Sequence, residues 1–211
     1  MAAIKGKNIA APRSVKRQKA REKIFESALQ LLKEFGYEYL TIGNICEVAG
    51  ISTGNFYHYF DSKESLLSQF FIDASEKFLN EEGQPDTGDL VSDIIAYYCA
   101  YADFCEKHGL EFIRNFYSPY NRALDMTPSG GGENEFGLTS MNETRDKIER
   151  AREAGFFSAD IDAVQMAQDL CNIEKGIIFN WCVSEGSFHI SDETRRLLTH
   201  YLQPYRINAI S

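Results

Sequence analysis

The chain has 211 residues, 44% hydrophobic and 13% aromatic, ample material for a buried core, which excludes wholesale disorder. Its net charge of −9 is unevenly spread: residues 1–65 hold ten Lys/Arg against seven Asp/Glu, while the remainder holds twelve against twenty-four. No apolar run approaches the roughly 20 residues of a membrane-spanning helix, and the charged N-terminus lacks the apolar stretch expected of a secretory signal.

The first 23 residues carry eight basic side chains and one acidic one. Residues 1–15 are therefore expected to be a basic arm. Such an arm on an acidic body marks a local contact with DNA, the alternative being a solvated tail. From Lys16 to Phe35 the apolar residues Ile24, Ala28, Leu31, Leu32 and Phe35 follow the three-and-four spacing of an amphipathic helix, which Gly36 ends. Thr41 caps a short second helix with Ile45 and Val48, Ala49-Gly50-Ile51 turns the chain, and Ser52 caps a third helix reaching about Tyr59. Asp61 and Ser62 both offer a cap for a longer helix carrying Leu66, Leu67 and Phe70 through Phe78, Asp61 having Glu64 at the spacing of a capping box.

That helix breaks at Gln84-Pro85-Asp86. Leu90, Ile94, Tyr97, Tyr98, Tyr101 and Cys105 form the next apolar face, closed by Gly109, and Pro119 interrupts a further short helix. Thr127 to Gly137, with three consecutive glycines, is expected to be a loop. A charged helix follows to Ala154, then one long helix over 161–185 and a last one over 191–205. The five cysteines (Cys46, Cys99, Cys105, Cys171 and Cys182) are odd in number and fall in apolar helical patterns. They are read as reduced core thiols of a cytoplasmic protein. The expected architecture is all-α: a helix-turn-helix domain at 16–66 and a larger helical domain at 67–211.

Two helices too short to stand alone, joined by a glycine turn and backed by a supporting helix, form a helix-turn-helix. Ile45, Val48, Ile51, Phe56 and Phe60 are expected on its inner face. Thr53, Asn55, Tyr57 and His58 remain outside, as side chains suited to base edges and phosphates. Lys63 adds charge at the start of the following helix.

The run from Ala20 to Leu67 resembles the DNA-binding domain of the tetracycline-repressor (TetR) regulators, whose hallmark is similar to Thr53-Gly54-Asn55-Phe56-Tyr57-His58-Tyr59-Phe60-Asp61-Ser62-Lys63-Glu64-Ser65-Leu66-Leu67. The resemblance implies that Thr41, Tyr57 and Lys63 meet phosphates, and that Thr53, Gly54, Asn55 and His58 face bases or backbone; Ser52 completes the DNA-binding set. Gly43 departs from the pattern, since members often carry a longer polar side chain there.

Beyond residue 80 the aromatic content admits two readings, a plain hydrophobic core or a pocket. The resemblance implies a pocket for a small apolar or amphipathic effector, expected among Tyr98, Tyr101, Cys105, Phe112, Phe116, Met141 and Trp181. Between Ile161 and Cys182 the apolar surface is wider than one supporting helix buries. The resemblance implies a homodimer interface, expected at Ile173, Gly176, Ile177 and Trp181, with Glu174 and Lys175 solvated at its edge. Cys105 with His108, and Ser187 with His189, are too few groups for a metal or catalytic site, so no metal, cofactor or enzyme activity is expected. Three functions stay open: a repressor released from a palindromic double-stranded operator by an effector, a DNA-binding regulator without one, and a helical small-molecule-binding protein with a vestigial DNA-binding half.

Overall fold

A computed structural model describes residues 13–81, 85–119, 121, 124–126 and 135–207. The described structure is helical throughout apart from one isolated antiparallel bridge, Phe157 to Arg206. Its contacts divide the chain into two units, Met1–Leu67 and Ser68–Ser211.

In the first unit α1, Arg13–Phe35, starts earlier than Lys16, and residues 1–12 of the expected basic arm lie outside the described residues. Ile24, Phe25, Ala28, Leu31 and Leu32 are buried along one side of α1, whereas Phe35 is exposed at its end. Gly36, at φ 78°, ends the helix where an L side chain would be strained. A 3-10 turn, Tyr37–Tyr39, leads to α2, Ile42–Ala49, and then α3, Thr53–Tyr57. α1 packs on α2, and α2 on α3. The next helix, α4 (Lys63–Glu81), is capped by Ser62, the second of the two expected candidates. Ser62 is the N-cap and Ser65 its partner: Ser65 N–H donates to Ser62 Oγ and Ser62 N–H to Ser65 Oγ, both at 3.0 Å. The capping box is thus two serines, and Asp61 with Glu64 do not form it.

The second unit contains α5, Leu90–His108; α6, Leu110–Phe116; α7, Glu135–Glu153; α8, Ala163–Val183; and α9, Ile190–Leu202. α5 packs on α9 and α7, and α8 on α7, α9 and α6. Val91, Ile94, Ile148, Phe157, Leu170 and Leu198 are among the buried side chains that fill the space between them. The chain end is tied back by Ile207 N–H donating to Phe156 O at 2.9 Å and by an ion pair of Arg206 with Asp89. Residues 127–134 of the expected loop lie outside the described residues, but 135–137 belong to α7. Gly137 is there for close approach: a Cβ on it would sit 2.6 Å from the Asp125 carbonyl oxygen.

Candidate DNA interface and buried polar cavity

The mount for α3 is built from hydrogen bonds that its sequence anticipates. Thr41 Oγ1 accepts from Asn44 N–H at 3.1 Å, and Ser52 Oγ accepts from Asn55 N–H at 3.2 Å, so each short helix has one orphan donor satisfied. Between them Gly50 sits in the left-handed region (φ 65°, ψ 40°), and Ile51 N–H closes the turn on Cys46 O at 2.9 Å. Phe56 is fully buried and Phe60 nearly so, which fixes the rotation of α3. The remaining side chains then have one place to go. Thr53, Gly54, Asn55, Tyr57 and His58 are exposed together, with Ser52 and Thr41 exposed beside their helix starts. Val48 is corrected: it is 42% exposed, because the buried arc of α2 runs through Ile45, Cys46 and Ala49. Ile51 and Tyr59 are half-buried.

Lys63 is held by a residue the sequence reading missed. Its ammonium lies 4.0 Å from the centroid of the Tyr37 ring, and the Tyr37 hydroxyl donates to Glu64 Oε1 at 3.3 Å. Burial, with Glu64 beside it, pushes the Tyr37 phenol up to about 12. Lys63 also pairs with Glu64 at 4.0 Å, while remaining partly accessible. A tyrosine 26 positions upstream gives no local sequence signal of this contact.

In the second unit the pocket expectation is only partly met. A cavity of about 50 Å³ is lined by Tyr98 and Tyr101, as expected, and also by Tyr97, Tyr117, Cys171, Glu174 and Lys175. Phe112 and Phe116 instead stack around Phe71, with ring centroids 5.8 and 3.8 Å from it, and Cys105 is fully buried. Met141 is half-buried against the core, and Trp181 is buried with Gly186 against its ring. None of these five lines the cavity. Aromatic rings without a hydroxyl pack on one another, while the tyrosines, which need partners, gather around polar space.

The hydroxyls are largely spoken for. Tyr98 OH lies 2.8 Å from Thr144 Oγ1 and 3.3 Å from Cys171 Sγ, and Tyr101 OH lies 2.7 Å from Tyr117 OH. Tyr97 OH donates to Glu143 Oε2 at 3.0 Å. Burial pushes the Tyr98, Tyr101 and Tyr117 phenols well above the ordinary range, so they stay neutral.

Glu174 and Lys175 overturn the expectation of solvated charges. Glu174 is 3% exposed. Its Oε2 accepts from Thr194 Oγ1 at 2.9 Å, while its Oε1 is buried with no hydrogen-bond partner among the described residues. Burial pushes the carboxyl up to about 8, against a smaller opposite effect of Thr194. Lys175 is half-buried, its Nζ donates to Leu124 O at 2.5 Å, and burial lowers it from its ordinary value. The available signal was position: residue 174 lies three residues before Ile177 and four before Ile178, both buried.

The outer side of α8 also differs from expectation. Ile177 and Trp181 turn inward and are buried in their own unit, and Ile173 is half-buried. Gly176 is exposed, with nothing within 4 Å of a Cβ built on it. Around it the exposed positions are Val164, Gln165, Gln168, Asn172, Phe179, Asn180 and Val183. This strip carries no charge over five turns, and Phe179 and Val183 are 54% and 63% exposed. Among the described residues no group of three or more His, Cys, Asp or Glu is placed to hold a metal ion, and no helix is long and apolar enough to cross a membrane. All five cysteines are free and buried.

Residues 24–70 match the family model described as "Bacterial regulatory proteins, tetR family". The chain is 23% identical to the HTH-type transcriptional regulator AcrR of Shigella flexneri over 89% of its own length and 90% of that protein. It is 31% identical to the regulator UidR of Escherichia coli (strain K12) over 34% of its length and 36% of the relative's. Its fold is similar to that of Thermus thermophilus FadR, described as a TetR-family transcriptional repressor in complex with lauroyl-CoA. That likeness has a TM-score of 0.63 and 17% identity, covering 90% of this chain and 98% of the other.

Proposed function

We propose that this chain, whose residues 24–70 match the model of the tetR family, is a TetR-type transcriptional regulator that binds a palindromic operator as a homodimer in the cytoplasm and represses until a small-molecule effector releases it. The observation that carries the DNA half of this reading is the exposed polar face of α3, mounted on the buried Phe56 and flanked by Lys63. Tyr57, Lys63 and Thr41 hold phosphates; Ser52, Thr53, Gly54, Asn55 and His58 lie against backbone and base edges. Gel-shift titration against DNA upstream of the gene tests this. Lys63→Ala weakens binding on all sequences and lowers the salt slope by about one unit, whereas Asn55→Ala changes preference among operators. Parent-like binding by both variants, and by Tyr57→Ala, removes α3 as the recognition helix.

Reading a palindrome requires two recognition helices about 34 Å apart, or a multiple of it, and hence a dimer. The uncharged strip of α8 around Gly176, Phe179 and Val183 supports a partner there, Ile173 at its edge; Ile177 and Trp181 back it from inside. Gly176→Arg places a charge on that strip and is expected to give a monomer with poor operator affinity. A tight Gly176→Arg dimer in light scattering moves the interface elsewhere.

The effector half rests on the tyrosine-lined cavity. The Thermus protein's ligand supports a ligand role for this fold, but lauroyl-CoA is far too large for about 50 Å³. That small volume favours a second reading, a regulator with no small-molecule effector; an engineered cavity that holds benzene is about 150 Å³. Operator release by a compound found in a thermal-shift screen decides between them. Reciprocity then requires operator to weaken that compound by the same factor.

A further inference from the structure

Glu174 costs the resting protein stability as its buried carboxyl ionises. A buried carboxyl with one unpaired oxygen is among the least favourable groups to place in a helical core. A glutamine would keep the bond from Thr194 without any charge to desolvate. The groups whose ionisation responds to Glu174 are Cys99, Tyr101 and Cys105 of α5, Tyr117 beyond α6, and Cys171 of α8; Thr194 of α9 donates to it. None is a cation. Lys175, next in the chain, is directed to the Leu124 carbonyl instead, with Asp125 nearby.

Resting on the effector reading above, we infer that this cavity receives the cationic headgroup of an amine-bearing amphipathic ligand, with Glu174 as its counter-ion and the tyrosine rings as its walls. Two independent features meet there: a carboxyl oxygen without a hydrogen-bond partner, and a lining of four tyrosines, a residue type whose ring attracts a cation. The size fits as well, since about 50 Å³ admits a headgroup but not a bulky body. Lys175 offers the opposite charge to the same space, but its nitrogen already has an acceptor, whereas Oε1 has no donor. In the empty protein the carboxyl is mostly protonated at neutral pH. An entering ammonium favours the carboxylate, so the proton leaves Glu174 for solvent as the ion pair forms.

The experiment titrates the full chain with n-hexylammonium, 1-hexanol and hexanoate by calorimetry at pH 6 and pH 8, in buffers of different ionisation enthalpy. The ammonium stays charged across this range. It is expected to bind roughly 50-fold more tightly at pH 8, where about half the carboxyl is ionised, and to release close to one proton at pH 6. Glu174→Gln, with its fold checked by circular dichroism, loses both the pH dependence and the preference for the ammonium over the alcohol. Hexanol or hexanoate binding as tightly as the ammonium overturns the inference, as does undiminished ammonium binding by Glu174→Gln or binding by none of the three. Operator gel shifts with the same probes separate the two levels. Release by hexanol or hexanoate overturns the cation class and leaves the effector reading standing. Tight ammonium binding without release supports the cation site and overturns the effector reading.

Discussion

The two units place polar side chains in opposite ways. In the first, Thr53, Asn55, Tyr57 and His58 stand in water over an apolar mount, and the one buried polar side chain among the described residues, Ser27, bonds locally to Lys23 O. In the second, Ser75, Thr144, Glu174 and Thr194 are buried, and buried tyrosines turn their hydroxyls to one another or to neighbouring polar groups. A surface that meets a long, charged, hydrated polymer needs exposed donors and little interior chemistry. An interior that is to receive a small molecule must hold its polar groups away from water, at a price in stability.

The largest expected effect separates mount from surface in the first unit. Phe56→Ala removes a fully buried ring and should destabilise that unit by about 3–5 kcal/mol in chemical denaturation. Tyr57→Ala, one residue on and 54% exposed, should change stability by less than about 0.5 kcal/mol while weakening DNA binding. Equal losses of stability at the two positions would mean that α3 is rotated from the description above.

Next in size is the pH dependence set by Glu174. Its folded value of about 8 lies above the ordinary 4.5, so the folded state holds the proton more tightly than the unfolded chain. The stabilising contribution is therefore complete below about pH 4.5 and is lost as pH rises through 8. With roughly 1.4 kcal/mol per pH unit as the limiting slope, the loss amounts to a few kcal/mol. Glu174→Gln should be the more stable protein at pH 8, and the difference between the two melting curves should shrink toward pH 5. A constant difference across that range would place the carboxyl in water.

Smaller effects test the local logic of the helix-turn-helix. Ser52→Ala removes the cap of α3 and should cost about 1 kcal/mol, but Ser52→Gly only a few tenths. Gly43 faces open space, its nearest neighbour being Thr41 Oγ1 at 3.8 Å from a built Cβ. Gly43→Lys should thus fold normally, gain up to about 1 kcal/mol of helix propensity, and steepen the salt dependence of DNA binding by about one unit. An unchanged slope would put α2 out of reach of the phosphates.

The caps at Thr41 and Ser52, the turn at Gly50 and the outward set on α3 were legible in the sequence, because each depends on residues within a few positions of one another. The all-helical build was legible for the same reason: helical periodicity is local. Contacts that join distant positions were not. Tyr37 beneath Lys63, Thr194 on Glu174 and Leu124 on Lys175 span 26, 20 and 51 positions, and no spacing rule anticipates them. Sorting the aromatics was likewise a tertiary decision. Phe112 and Phe116 satisfy themselves by stacking, whereas Tyr98 and Tyr101 have hydroxyls whose partners come from elsewhere in the unit, Thr144 of α7 and Tyr117 just beyond α6. The same holds for α8, whose pattern announces a wide apolar surface but cannot say which stripe its own unit buries. Packing against α6, α7 and α9 takes Ile177 and Trp181 inward and leaves Gly176, Phe179 and Val183 outside, because a helix has one rotation about its axis and its neighbours choose it.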